Sequence, residues 1–299
     1  MPLQTTTDIY AKALAGNYAI GGFIAYNMEM FQALVRAANA ARSPLLLQSS
    51  AQAVDYAGLG YLMGLARAAA EEAEVPLAYH LDHGFNVEIC KAAVDAGFTS
   101  VMIDASSHPL EENIRITREV VEYAHDRGVV VEGELGSPEN DGAHTHPDQV
   151  AEYVGRTGVD SLAIAIGNSH GQMQLDAPPV IDFERAEAIR KVVPTTPLVL
   201  HALTIIPDGQ PEAYKAAGGQ LRPVSMVSEE VFIRAAHTPG ICKLNIGISL
   251  KIEMMTAIRE YLAANPADFD PRKPFGFARQ RLEKLIGDHL RRIGSAGQA

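Results

Sequence analysis

The feature that most restricts the fold is a regular alternation of short apolar runs with amphipathic stretches along the 299-residue chain. Short apolar runs bounded by turn residues read as buried strands, and apolar residues recurring every three or four positions read as helices. Strands are expected over 18–25, 45–48, 77–81, 100–103, 129–135, 161–166, 198–201 and 241–246. Helices are expected over 28–41, 59–74, 87–96, 110–127, 148–157, 183–192, 229–237 and 250–264, with a further C-terminal one over 275–293. Eight strand-then-helix pairs favour a single (β/α)8 TIM barrel with a C-terminal helical extension over an open doubly wound sheet. Gly97, Gly128, Gly158 and Gly240 fall just after helices, where a left-handed residue is wanted. No linker or low-complexity segment divides residues 1–299, so one domain is expected.

Charge and cysteine usage narrow the function. The net charge is −11 with no basic block, which argues against nucleic acid, since phosphate neutralisation needs clustered Lys and Arg. Cys90 and Cys242 sit in apolar contexts without CxxC spacing and read as two buried free thiols. There is no signal-peptide pattern and no apolar run approaching the roughly 20 residues of a membrane span. A soluble cytoplasmic protein acting on a small molecule is the expectation.

A barrel of this kind places chemistry at the C-terminal ends of its strands. Those ends carry, in order, Asn27 and Glu29; Gln48, Ser49 and Ser50; His80, Asp82 and His83; Asp104 and Ser106; Glu132 and Glu134; Gly167, Asn168 and His170; His201; and Asn245. The strands behind them are apolar, so the polar ends concentrate on one mouth if the barrel closes. The densest is Tyr79-His80-Leu81-Asp82-His83-Gly84. Side chains alternate along a strand, so His80 and Asp82 share one side while His83 turns at the strand's end. His83, His170 and His201 come from three separate strands, and a three-His zinc site with an open fourth position is a Lewis-acid arrangement. Asp82 is placed to move the proton of a substrate hydroxyl. Asp104, Glu132 and Glu134 are partners of the ligands or alternative ligands.

These residues resemble the class II, zinc-dependent fructose-bisphosphate/tagatose-bisphosphate aldolases. The resemblance rests on the His-Leu-Asp-His-Gly element, Ser100-Val101-Met102-Ile103-Asp104 with Glu112-Asn113-Ile114, and Val131-Glu132-Gly133-Glu134-Leu135-Gly136. It continues through Ala165-Ile166-Gly167-Asn168-Ser169-His170-Gly171, Leu198-Val199-Leu200-His201, Lys243-Leu244-Asn245 and the terminal Gly294-Ser295-Ala296. It implies zinc on His83, His170 and His201 with Glu134 near the metal and Asp82 as the proton-transfer acid. It further implies Asn245 near a bound enediolate, Ser50 near the far end of the substrate, and a homodimer or homotetramer, with Asn27 and Gly171 as further substrate-binding candidates.

The departures from the family pattern cluster. After His201 the family carries a Gly-Gly-Ser-Gly-like run for the donor phosphate; here it reads Ala202-Leu203-Thr204-Ile205. The lysine that often follows the sixth-strand His-Gly is missing from Gly171-Gln172-Met173-Gln174, and Ile248 and Ser249 replace a Thr and an acid. A phosphate needs NH donors, hydroxyls or cations. About 20 additional residues, near 207–228, separate His201 from Lys243 and are expected to rebuild an anion site, with Arg222 as its substrate-binding candidate, to form a lid or oligomer contact, or to be a surface insertion. In the loop after the fifth strand Glu139 is the candidate base acting on the substrate carbon, with Asp141 second.

The expected activity is reversible aldol cleavage of a ketose (bis)phosphate. Two alternatives stay open: the same mechanism on a ketone, ketose or sugar-acid donor lacking the usual phosphate, and a non-catalytic barrel subunit. A metal-dependent hydrolase is a further class, and it would have no need of Asn245.

Overall fold

The computed structural model describes residues 2–136, 144–168 and 178–299. Its strands are β1 (Ile20–Ile24), β2 (Leu45–Ser50), β3 (Leu77–Gly84), β4 (Ser100–Ile103), β5 (Val130–Leu135), β6 (Ser161–Ile164), β7 (Leu198–Leu200) and β8 (Ile241–Ile246). All are parallel, each pairs with the next, and β8 closes on β1, with Gly22 opposite Asn245. The helices are α1 (Thr7–Gly16), α2 (Met28–Ala41), α3 (Ala51–Ala57), α4 (Leu59–Glu72), α5 (Val87–Ala96) and α6 (Leu110–His125). They continue with α7 (Pro147–Thr157), α8 (Phe183–Val192), α9 (Gln210–Ala216), α10 (Glu229–Ala236), α11 (Ile248–Ala264) and α12 (Arg272–Arg292). The expected barrel and its C-terminal extension are both present. No described helix is long and apolar enough to cross a membrane.

Three short helices were not expected, and each has a local cause. α1 carries Ile9, Tyr10 and Ala13 against Tyr18, Ile20, Leu46, Ala78 and Cys242, which plugs the end where the strands begin. α3 starts because Ser50, the last residue of β2, accepts a hydrogen bond from the Ala53 N–H at 3.2 Å and so caps a new helix. α9 lies in the insertion. Gln210 Nε2 donates to Ser249 O at 3.0 Å and Glu253 Oε2 at 3.1 Å, and Arg259 donates to Gly218 O at 3.0 Å. The 207–228 segment is thereby fastened to α11 on the outside of the barrel.

Inside the barrel the layers differ in chemistry. Above the apolar plug, Met102, Ala163 and Val199 form a small apolar cluster, and Gln48, His80, Glu132 and Lys243 are buried polar residues on the neighbouring strands. The opening is therefore at the far mouth, where β3 ends. That end is tightly built: a β-carbon on Gly84 would stand 2.4 Å from Cys90 Sγ and 2.6 Å from the Met102 carbonyl oxygen. The backbone oxygen has no room to retreat. Gly84→Ala is expected to cost at least about 2 kcal/mol, a fall in Tm of roughly 4–8 °C. A thermal melt within 1–2 °C of the wild type would contradict this, given the usual scale of such shifts.

Candidate active site

Asp82 and His83 are adjacent, so a regular strand would send them to opposite faces. Two features bring both to the mouth. Between Leu81 and Gly84 the β3–β4 register slips: Leu81 pairs with Val101 but Gly84 with Ile103, leaving one residue extra on β3. Such a bulge re-aims side chains. His83 itself takes the left-handed conformation at φ 48°, uncommon for a residue with a β-carbon. Ala202, which follows His201, is left-handed too, at φ 56°.

Hydrogen bonding then assigns the ring protons. His83 Nδ1 lies 3.0 Å from Asp104 Oδ2. Burial opposes ionisation of Asp104, but the His83 bond and charge and two donors from Ser106 outweigh it and hold its carboxyl well below the usual carboxylate range. Asp104 accepts, so the proton is on His83 Nδ1. On the opposite side His201 Nε2 lies 2.6 Å from Glu132 Oε1, whose carboxylate also accepts, so His201 carries its proton on Nε2. His83 Nε2 and His201 Nδ1 are left facing each other at 2.9 Å. A 2.9 Å approach of two ring nitrogens needs a proton or a cation between them, since two bare lone pairs would repel.

The surrounding charges make the same demand. Burial disfavours an imidazolium at His83, yet Asp82, Asp104 and Glu134 lift its pKa to about 10. Glu134 is driven well above the usual carboxylate range by burial and then by Asp104, and its Oε2 has no partner among the described residues. For Asp82 burial again pushes upward, but His83, His201 and Lys243 outweigh it, so it stays a carboxylate. Asn245 Nδ2 donates to Asp82 Oδ1 at 2.8 Å and stands 2.8 Å from His201 Nδ1. Asp82, His83 and His201 each offer a ligand atom, all within 4.8 Å of one another, and His83, Asp104 and Glu134 form a second such group. Imidazoles whose outer N–H groups are backed by carboxylates suit a divalent cation of the zinc type, and the residues present fit a metal.

A cavity of about 510 Å³ opens above this cluster. Its polar wall includes Ser50, Gln52, Asp82, His83, Asp104, Thr204, Asn245 and Lys251, and its apolar wall includes Ile24, Ala202, Leu203, Ile205, Ile246 and Ile248. Of the residues that depart from the family pattern, Ala202, Leu203, Thr204, Ile205 and Ile248 face the cavity, Ser249 does not line it, and 171–174 lie outside the described residues.

Of the expected site residues, Asp82, His83, His201, Asp104, Glu134, Asn245 and Ser50 come together here. Asp104 supports the His83 ring through a hydrogen bond while remaining within reach of a cation. Two further expected residues stand elsewhere. Asn27 does not line the cavity: its side chain caps α2 by accepting from the Met30 N–H at 3.0 Å, and its amide faces Met254. Arg222 is exposed and also stands outside the cavity lining, because its segment docks outward on α11. His170, Gly171 and Glu139 lie outside the described residues. Sequence reasoning missed Lys251, in the first turn of the helix that leaves β8, although that position on a barrel's C-terminal face was the available signal.

Comparison with known proteins agrees with this geometry. A family model described as "Fructose-bisphosphate aldolase class-II" matches residues 4–298. The fructose-bisphosphate aldolase of Thermus caldophilus is 40% identical, with 99% of this chain and 100% of that protein covered. That of Treponema pallidum is 39% identical, covering 99% and 98%. Among solved structures, the YdjI aldolase of Escherichia coli K12 superposes with a TM-score of 0.80 at 32% identity over 100% of both chains. With the match running from one end of the barrel to the other, the chain belongs to the class-II fructose-bisphosphate aldolase family and is a metal-dependent carbon–carbon lyase.

Proposed function

We propose that the protein is a zinc-dependent aldolase, acting in the cytoplasm as a homo-oligomer, that reversibly cleaves a phosphorylated ketose. The observation that carries this reading is the Asp82 carboxylate held by Asn245 beside the facing ring nitrogens of His83 and His201, at the foot of a cavity of about 510 Å³. Zinc on His83 and His201, completed by His170 as the family resemblance implies, would act as a Lewis acid on the ketose carbonyl. The protein's own part is proton movement and orientation. In cleavage Asp82 takes the proton of the hydroxyl on the carbon β to the carbonyl. The O–H electron pair becomes the new C=O bond, the carbon–carbon bond breaks, and its pair remains on the α-carbon. In condensation Asp82 returns the proton to the aldehyde oxygen. Asn245 keeps the carboxylate aimed, and Glu139 is the proposed base at the α-carbon.

Substrate choice turns on the far wall. Lys251 is the one lysine or arginine among the described residues lining the cavity, and it is the candidate anchor for a donor phosphate. A second reading is a donor without that phosphate, favoured by Ala202, Leu203, Ile205 and Ile248 standing where a dianion needs donors. Zinc-loaded protein assayed on ketose 1,6-bisphosphates beside counterparts lacking the 1-phosphate separates the two. On the first reading the bisphosphate is cleaved, and Lys251→Ala raises its KM about 10-fold or more with little change in kcat. Cleavage only of the substrates without the 1-phosphate selects the second reading. No cleavage of either would sink ketose aldol chemistry.

A further inference from the structure

We infer that Lys243 is a positioning residue for the metal centre, acting through Glu132 on His201 from beneath the site. Five side chains form one chain across the barrel interior. Ser100 Oγ lies 2.7 Å from His80 Nδ1, and His80 Nε2 lies 3.1 Å from Lys243 Nζ. Lys243 Nζ donates to Glu132 Oε1 at 3.0 Å and Oε2 at 2.9 Å, and Glu132 Oε1 receives His201 Nε2 at 2.6 Å. None of the five is more than 2% exposed.

Donor counting leaves little freedom. An ammonium has three N–H groups and no acceptor. Lys243 spends all three, two on Glu132 and one on His80, so His80 Nε2 must accept and its proton sits on Nδ1 toward Ser100. Burial first, and then Lys243, keeps the His80 ring neutral, in agreement with that role. Both Glu132 oxygens accept from Lys243, which fixes the carboxylate's orientation with Oε1 toward the His201 N–H. His201 therefore presents Nδ1, the atom that faces His83 and Asn245.

A stabilising role alone does not explain this chain, because well-packed apolar residues replace a buried ion pair at no loss or with a gain in stability. What apolar residues do not supply is a fixed acceptor for the outer N–H of a metal-binding histidine. His80, prominent in the sequence but off the cavity wall, is accounted for as the base of this support.

The inference rests on His201 being a metal ligand, and the test separates the two. Metal-free protein is titrated with Zn²⁺ against a competing chelator in three forms: wild type, Lys243→Met with Glu132→Gln, and Lys243→Met with Glu132→Leu. Neither double variant leaves an unpaired buried charge. The glutamine oxygen still accepts from His201, so that variant is expected within about threefold of the wild-type Kd, whereas the leucine variant binds roughly 10–100-fold more weakly. Equal Kd values for the two double variants overturn the inference. A wild type that takes up no zinc overturns the metal reading itself. Far-UV circular dichroism of the metal-free proteins checks folding. Should a double variant not fold, the long-range ¹H–¹⁵N spectrum of zinc-loaded, histidine-labelled wild type decides instead: a His201 proton on Nε2 supports the inference, and one on Nδ1 overturns it.

Discussion

Replacing His83 with alanine is expected to remove bound metal and activity together. His83 belongs to both groups of ligand atoms found among the described residues, so its loss breaks each of them. The Lewis acid it helps to hold contributes several kcal/mol of transition-state charge stabilisation, so kcat/KM should fall by roughly 10³-fold or more. The fold should tolerate the change. His83 is partly exposed at the end of β3, with a quarter of its side chain reaching solvent. Alanine also retains a β-carbon in the left-handed backbone, so no new strain arises at φ 48°. Metal content by elemental analysis, measured beside the kinetics, is the check. Stoichiometric zinc in the variant would refute the ligand assignment even if activity were low.

Asp82→Asn should separate chemistry from metal binding. Asparagine keeps the size of Asp82 and an oxygen to accept from Asn245, but it has no carboxylate to take the hydroxyl proton. General acid–base catalysis contributes about 10²–10⁴-fold, and kcat should fall within that range while zinc stays bound. Asp82 Oδ1 lies 3.6 Å from His201 Nδ1, close enough that a ligand role is the competing assignment. The metal analysis distinguishes them. Loss of zinc with loss of turnover would make Asp82 chiefly a ligand, and wild-type turnover would remove it from the proton transfer.

The two variants probe a site whose parts were unequally visible in the primary structure. Apolar periodicity placed all eight strands, because a strand buried on both faces leaves a continuous apolar run and its helix an amphipathic one. The strand ends then singled out Asp82, His83, Asp104, His201 and Asn245, since charged groups seldom follow buried strands without use. Asn27 was ambiguous for a physical reason: an asparagine at a strand-to-helix junction is as good a helix cap as a ligand, and its sequence position is the same in both roles. Arg222 was ambiguous because a cation in an insertion reads alike whether the segment folds over the mouth or away from it. Gln210, one buried side chain bonded to α11, helps turn it away.

What the linear order of residues determined by itself was the barrel, its chemical end and the types of side chain that meet there. It did so because burial and backbone periodicity are local and repeat eight times. Tertiary structure alone decided the rest. The bulge and the left-handed His83 bring two neighbours to one face. Closure of the barrel sets Lys243 of β8 on Glu132 of β5, 111 residues away in sequence, and their ion pair directs His201. Hydrogen-bond donors and acceptors act only over about 3 Å, so which residues they join depends on the closed barrel and not on distance along the chain.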